Sequence, residues 1–481
     1  MRRSVAPARD IDAGVRSSGE RAGECRLFFA LLPRPRLLVS SLSVRLRAQK
    51  KLKGAGVNIR RFSPRVIWRA LGPGLITGAA DDDPSGIATY SQAGAQFGFA
   101  LAWIMFLTLP VMAAIQIISA CLGWETRRGL ARNIAHRLPR PVLYGLVMLL
   151  VVANTINIAA DLAAMAEAVR LLIDGPVLVY AAAFGVACLA AEVFIPYHRY
   201  AGVLKFLTLV LFAYVVTAFT VDIPWREVAV ATFVPSVSLD RDVLLTIVAV
   251  LGTTISPYLF FWQASQEAEE SRLSHRHKYR EQPQLTEKYF RHISIDTWIG
   301  MFFSNLIAFF IIVTAGATLH AHGVTHIDTA AQAAEALRPL AGDLTFALFA
   351  IGIIGTGLLA VPVLAGSAAY AVAETFGLRG SLELPASRAI GFYAIVSAAT
   401  LVGVALTATK IDPIAMLFWT AVINGVVAVP IMVAIMLVVA GKPRDGRARS
   451  GRYPRWLIIL GWLAAGIMTL AVTLLLWSSL A

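Results

Sequence analysis

A chain of 481 residues that is 57% hydrophobic and only 15% charged is too apolar for a string of soluble domains, which run at about 45–50% apolar and about 25% charged. The formal net charge of +14 points at first to nucleic acid, but residues 1–70 alone hold 17 Lys and Arg against 4 Asp and Glu. The excess is therefore a basic N-terminal arm on a nearly neutral body, which excludes nucleic acid as the partner, and the three cysteines (Cys25, Cys121, Cys188) lack ligand spacing and read as small buried apolar residues.

Residues 1–62 are rich in Arg, Ser, Gly and Pro. Their apolar patch, CRLFFALLPRPRLLVSSL, is too broken by Pro and Arg to cross a bilayer. Three readings stand open: a disordered cytoplasmic arm, a targeting peptide, or an extension ahead of the natural start. Residues 63–481 read as one membrane domain. Eleven apolar segments follow at about 66–90, 95–122, 142–172, 177–196, 201–221, 243–270, 296–319, 343–374, 389–408, 413–440 and 456–479. Most approach or exceed the roughly 20 residues a helix needs to span the hydrocarbon core.

Loop Lys and Arg content sets the orientation. RRGLARNIAHRLPRP follows span 2, HRY with Lys205 follows span 4, SRLSHRHKYREQPQLTEKYFRH follows span 6, and KPRDGRARSGRYPR follows span 10. All fall on the side of the basic N-terminus, whereas loops after odd spans are poor in bases or balanced by acids. The expectation is a multi-pass protein of the cell membrane with a cytoplasmic N-terminus and, from an odd span count, an extracytoplasmic C-terminus.

Two spans carry helix breakers at their centres. Span 1 holds Pro84, Ser85 and Gly86 inside LGPGLITGAADDDPSGIATYSQAG, and span 6 holds Pro257 inside IVAVLGTTISPYLFFWQASQEAEE. An interior proline removes a backbone donor and clashes with the preceding turn. Carbonyls freed at bilayer depth survive where they line a protein cavity, and there they can hold a cation. Spans 1 and 6 occupy matching positions in two five-span halves, about 66–221 and 243–440, with 456–479 appended. Proline kinks without a site are common in membrane helices. Two breaks at matching positions, one beside Asp81, Asp82 and Asp83, point instead to a midplane site, because an intramembrane carboxylate usually faces a cavity or pathway.

At these residues the chain resembles the Nramp family of divalent metal transporters over nearly all of residues 64–481. GPGLITGAADDDPSGIATYSQAGAQFG is similar to the family's first-span signature, whose core is Asp-Pro-Gly-Asn. DLAAMAE, from Asp161, resembles the third-span signature, and GTTISPYLFFWQASQ stands where the family has Met-Pro-His-Asn. The resemblance implies an all-α, LeuT-like 5+5 inverted-repeat fold with broken helices 1 and 6, and secondary transport of divalent cations by alternating access. It implies Asp83 as the metal-binding carboxylate, with the carbonyls of Ala80 and Thr253 as backbone ligands. Asp83 also suits the cap of the half-helix that starts at Pro84, and the two roles are compatible.

Departures from the pattern bear on selectivity and coupling. Gly86 replaces the family's asparagine, Ser256 its methionine, and Tyr258 and Leu259 its histidine-asparagine pair. Soft sulfur favours later transition metals, whereas oxygen ligands suit magnesium and manganese. A set of Asp83, Ser256 and carbonyls, with Asp82 as a neighbour, fits a partly hydrated hard ion, as in the magnesium-related branch of the family; manganese and iron stay open. The glutamate and histidine that serve proton coupling in the family fall at Asn154 and Gln263, neither of which titrates near neutral pH, and a second carboxylate falls at Ala164. The expectation is weak or absent proton coupling, with Asp161 as a remaining candidate proton acceptor or structural ion-pair member and Asp81 and Asp82 as candidate substitutes.

Other polar residues read more plainly. Glu267, Glu269 and Glu270 are expected at a solvated helix end, with a metal-exit vestibule as the alternative. His320, His322 and His326 read as an outer surface loop, Glu192 and Glu374 as partners of nearby bases, and Asn424 either as a contact toward the site or as a packing amide. No resident cofactor is expected; the partners are the transported divalent cation and the bilayer, with a monomeric transport unit. The chief alternative is a symporter of an organic amine or other small solute on the same fold. No nucleophile–base set or phosphate loop supports an enzyme.

Overall fold

The computed structural model describes residues 73–195, 208–235, 238, 240–273, 283–382, 384–409, 411–441 and 453–480. The basic arm, the start of span 1 and parts of the loops after spans 4, 6 and 10 lie outside the described residues, so the readings made for them are neither supported nor opposed. Span 1 is two helices, α1 (Pro73–Asp81) and α2 (Pro84–Phe97). Span 2 is α3 (Trp103–Thr126), followed by a short α4 (Leu130–Ala135). Spans 3 and 4 are α5 (Arg140–Arg170) and α6 (Val177–Phe194). Span 5 is described from a 3₁₀ turn, Thr208–Leu211, into α7 (Phe212–Ala218), and α8 (Trp225–Phe233) fills the following loop.

The second half repeats the plan. Span 6 is α9 (Arg241–Thr254) and α10 (Pro257–Leu273), and span 7 is α11 (Pro283–Thr318). After two short helices, α12 (Ala330–Glu335) and α13 (Arg338–Ala341), spans 8 to 11 are α14 (Thr345–Phe376), α15 (Ile390–Leu406), α16 (Pro413–Ala440) and α17 (Arg455–Leu480). Eight segments are long and apolar enough to cross a membrane; the broken pair of span 1 and two shorter apolar helices, Leu209–Ala218 and Ile390–Leu406, complete the eleven expected.

Two boundaries moved. The apolar run GAQFGFALAW hides a turn that hydropathy cannot locate. Gly98 makes it with φ 58°, a conformation that favours glycine, and span 2 then begins at Trp103 rather than near 95. Span 7 starts at Pro283 rather than near 296, because a helix does not end where its apolar stretch ends.

Backbone-to-backbone approaches bring the broken helices against their neighbours. A Cβ on Gly78 of α1 would fall on the backbone of Gly300 in α11, and one on Gly252 of α9 would lie 2.7 Å from the Gly425 Cα of α16. Small residues at such crossings let helices pack where lipid supplies no hydrophobic drive. The long α5 packs against α14, α15 and α16 and buries Asn154, Asn157 and Asp161 in the interior.

Candidate functional site

Pro84 decides the local backbone at the first break. The residue before a proline is driven out of the helical region, and Asp83 accordingly sits at φ −68°, ψ 171°. From there its Oδ1 accepts from Ser85 Oγ at 2.6 Å and from Gly86 N at 2.8 Å, capping α2. Its Oδ2 faces the interior, 3.2 Å from Asn157 Nδ2 and 3.4 Å from the Tyr258 hydroxyl. That hydroxyl donates to the Ala80 carbonyl at 2.9 Å, one of the carbonyls that the end of α1 leaves without a helical partner. Tyr258 thus ties the two breaks together.

The second break is stitched in the same way. Ser256 Oγ lies 2.8 Å from the Thr253 carbonyl and 2.9 Å from that of Gly252. Thr253 faces Gly86 across the gap: a Cβ at Gly86 would stand 3.2 Å from Thr253 Oγ1 and 3.2 Å from Tyr90 Cε2. A side chain at position 86 would be tight against these two, which would have to give by a few tenths of an ångström.

Behind Asp83 runs a polar chain. Asn157 Nδ2 also reaches Asp161 Oδ2 at 3.2 Å, and Asn424 Nδ2 donates to Asn157 Oδ1 at 2.9 Å. The structure therefore gathers Asp83, Ala80, Tyr258, Asn157, Asp161 and Asn424 into one network, with Thr253, Ser256 and Gly86 at its edge. It does not bring in the other candidates. Asn154 donates to the Leu364 carbonyl of α14, and Gln263 bridges Gln116 of α3 and Thr297 of α11. Asp81 and Asp82 turn toward α11, where Ser304 Oγ lies 2.5 Å from Asp81 Oδ2 and 3.0 Å from Asp82 Oδ1.

Asn157, Ser304 and Gln116 escaped the sequence reading. Asn157 had a signal: Asn154, Asn157 and Asp161, at spacings of three and four, put a polar stripe on one face of a membrane helix. Ser304 had none, since a serine on an apolar helix is ordinary.

Four aspartates, 81, 82, 83 and 161, are at most 2% exposed. The donors found for them (Ser85, the Gly86 amide, Asn157, Tyr258 and Ser304) are all neutral. Among the described residues no group of three or more His, Cys, Asp or Glu is placed to hold a metal. A cation at the break would meet one carboxylate and neutral oxygens. His320 and His322 contact the Ala95 and Thr318 carbonyls, as suits a surface loop.

Cavities flank the site at opposite helix ends. One, of about 420 Å³, is lined by Ala88, Gln92, Gln96, Asp242, Asp328 and Asp412. The other, also about 420 Å³, is lined by Arg132, Glu269, Arg272, Tyr370 and Glu374. Here one expectation fails in part: Glu270 is exposed, but the other two acids of that helix end are not. Glu267 and Glu269 are buried, not solvated, because α14 packs over that end of α10 and Tyr370 donates to Glu269 at 2.8 Å. Glu374 hydrogen-bonds backbone amides, Gly129 N at 2.6 Å and Arg132 N at 3.2 Å, with the bases Arg132 and Arg272 on the same cavity wall. The start of α4 supplies unpaired N–H groups that a carboxylate satisfies.

The profile of the Nramp family, natural resistance-associated macrophage protein-like, matches residues 74–478. The divalent metal cation transporter MntH of Yersinia enterocolitica is 28% identical over 313 residues, covering 62% of this chain and 71% of that protein. Among solved structures, the Eremococcus coleocola manganese transporter superposes with a TM-score of 0.67 at 18% identity, over 87% of each chain. MhsT in complex with L-phenylalanine superposes at 0.54 and 14% identity, over 84% of this chain and 98% of that one. The shared fold is the LeuT-like arrangement.

Proposed function

The chain belongs to the Nramp family, and on that premise we propose that it carries divalent metal cations across the cell membrane by alternating access, binding them at Asp83. It is a multi-pass membrane protein, and metal cation transport is the activity in the names of its relatives. The observation that carries the reading is the placement of Asp83. A carboxylate 1% exposed stands at a helix break with neutral hydrogen-bond donors and a freed carbonyl, Ala80 O, across from it. An uncompensated buried charge of this kind is costly, and a cation relieves it.

Alternating access is supported by the cavity pair. Along α2, Ala88 lies about 8 Å beyond Asp83, whereas Glu269 lies about 18 Å along α10 from its break, at 1.5 Å per residue. Counted along these helices, the first cavity begins nearer its break than the second does. Arg132 and Arg272 line the other cavity, Arg272 donates to the Arg127 carbonyl, and Tyr453 reaches Glu125 at 3.5 Å. The described residues that flank the basic loops after spans 2, 6 and 10 thus share one end, which fits a cytoplasmic face there.

The candidate ligands Asp83, Ala80 O and Thr253 O are oxygens, which favour hard ions, magnesium and manganese, over softer metals. Weak or absent proton coupling fits the commitment of Asn154 and Gln263 to interhelical hydrogen bonds. Uptake of Mn²⁺ and Mg²⁺ into proteoliposomes, run beside a panel of organic amines, tests the reading. Metal uptake abolished by Asp83→Ala is expected; uptake unchanged in that variant, or amine uptake alone, overturns it.

A further inference from the structure

We propose that the Tyr258 phenol oxygen is itself a ligand to the transported cation and that it tunes the site toward hard ions. This inference rests on Asp83 being the binding carboxylate. Two oxygens on neighbouring vertices of an octahedron, each 2.0–2.1 Å from Mg²⁺, lie about 2.9 Å apart. The Tyr258 oxygen lies 2.9 Å from the Ala80 carbonyl oxygen and 3.4 Å from Asp83 Oδ2. Its spacing to Ala80 O, now a hydrogen bond, equals that of neighbouring vertices, and its spacing to Asp83 Oδ2 is half an ångström longer. A cation bound by the phenol oxygen requires the hydroxyl hydrogen to turn away from Ala80 O.

The ring is held for this. Tyr258 is 1% exposed and lies on the first turn of α10, directly after Pro257, so little motion is lost when its oxygen engages a cation. Thr253 Oγ1, Asn424 Oδ1 and Asp161 Oδ1 are buried without a hydrogen-bond partner and are other oxygens near the break, whereas three further positions supply no free side-chain oxygen. Gly86 contributes no side chain, Ser256 Oγ is turned to carbonyls of its own helix, and Leu259 supplies no polar side-chain atom. A neutral oxygen here favours magnesium and manganese, whereas sulfur or imidazole would shift preference to later metals. It also adds no charge, so the ion can leave as well as enter.

The test measures initial rates of Mg²⁺ and Mn²⁺ uptake into proteoliposomes for the full chain, Tyr258→Phe, Tyr258→His and Asp83→Ala. Tyr258→Phe keeps the ring and removes one oxygen; KM for both ions is expected to rise about tenfold, the equivalent of one hydrogen-bond-sized contact, with kcat changed less than about twofold. Tyr258→His puts nitrogen in the same place, and the Mn²⁺-to-Mg²⁺ ratio of kcat/KM is expected to rise about tenfold. An unchanged or lowered KM in Tyr258→Phe makes the phenol a mere tie between the breaks and overturns the proposal. So does an unaltered metal ratio in Tyr258→His, which decides the matter alone if Tyr258→Phe is poorly folded. Full uptake by Asp83→Ala would instead remove the binding carboxylate on which the inference stands, a separate and recognisable failure.

Discussion

Asn157 Nδ2 stands 3.2 Å from Asp83 Oδ2, which links the break in span 1 to the middle of span 3. A carboxamide has two N–H groups, and the second serves Asp161, also at 3.2 Å, while the Asn157 carbonyl receives Asn424. Asn157 therefore aims Asp83 directly, and Asn424 acts only through it. Removing a donor to a buried charge costs about 1.5–3 kcal/mol. Asn157→Ala should lower kcat/KM for Mn²⁺ uptake by about tenfold or more, and Asn424→Ala by less. A larger loss in Asn424→Ala than in Asn157→Ala would contradict this order.

Gly86 invites a different experiment. Restoring the asparagine typical of the family should not restore a ligand, because its Cβ would press on Thr253 Oγ1 and Tyr90 Cε2 at 3.2 Å. Overpacking of this kind costs about 1–3 kcal/mol. Gly86→Asn is expected to lower the melting temperature in detergent and to reduce Mn²⁺ uptake, and Gly86→Asn combined with Tyr90→Ala to regain part of both. A stable, fully active Gly86→Asn would show that the gap is wider than the backbone suggests.

What was legible in the sequence followed from strong local chemistry. Pro84 and Pro257 announced both breaks, and Asp83 its cap, because a proline constrains its neighbours whatever packs around it. The partners of those breaks were hidden. Nothing in DDDP says that Asp83 faces Asn157 while Asp81 and Asp82 face Ser304, since the direction of a side chain at a helix break depends on which helices close around it. Glu267 and Glu269 of EAEE were misread for the same reason, whereas Glu270 is exposed as expected: a charged helix end looks solvated until its neighbours are laid across it.

Ser304 has one hydroxyl proton for two buried carboxylates, 2.5 Å from Asp81 and 3.0 Å from Asp82. Ser304→Ala leaves both without that donor and should destabilise the protein by about 1–3 kcal/mol. The expected reading is a melting temperature lowered by several degrees, with Ser304→Thr close to the parent because it keeps the hydroxyl. Equal melting of the parent and Ser304→Ala would mean that the serine holds neither aspartate in place.

The last prediction concerns the barrier on the basic side. Glu374 of α14 holds the Gly129 and Arg132 amides at the start of α4. The Arg272 guanidinium, from α10, holds the Arg127 carbonyl at 2.9 and 2.6 Å. Arg127 itself sits at φ 58°, the one non-glycine residue with positive φ among those described, a conformation that needs its surroundings to hold it. Three elements are thus clamped around a stretch of six residues, 127–132. Ser265 lies under the clamp, 3% exposed, its Oγ 2.6 Å from where a Gly129 Cβ would be. In a chain with Cys25, Cys121 and Cys188 replaced by alanine, a Ser265→Cys reporter should react slowly with a membrane-permeant thiol reagent. Adding Glu374→Ala removes two hydrogen bonds to a charged acceptor, each worth about 1.5–3 kcal/mol. Reporter labelling should then rise about tenfold or more, with Glu374→Gln in between because its carbonyl still accepts one amide. Uptake should fall alongside, since a barrier that no longer closes leaves the opposite opening less populated. Labelling that stays slow in Glu374→Ala would mean that Arg272 and the packing of α10 against α14 close this side without the carboxylate.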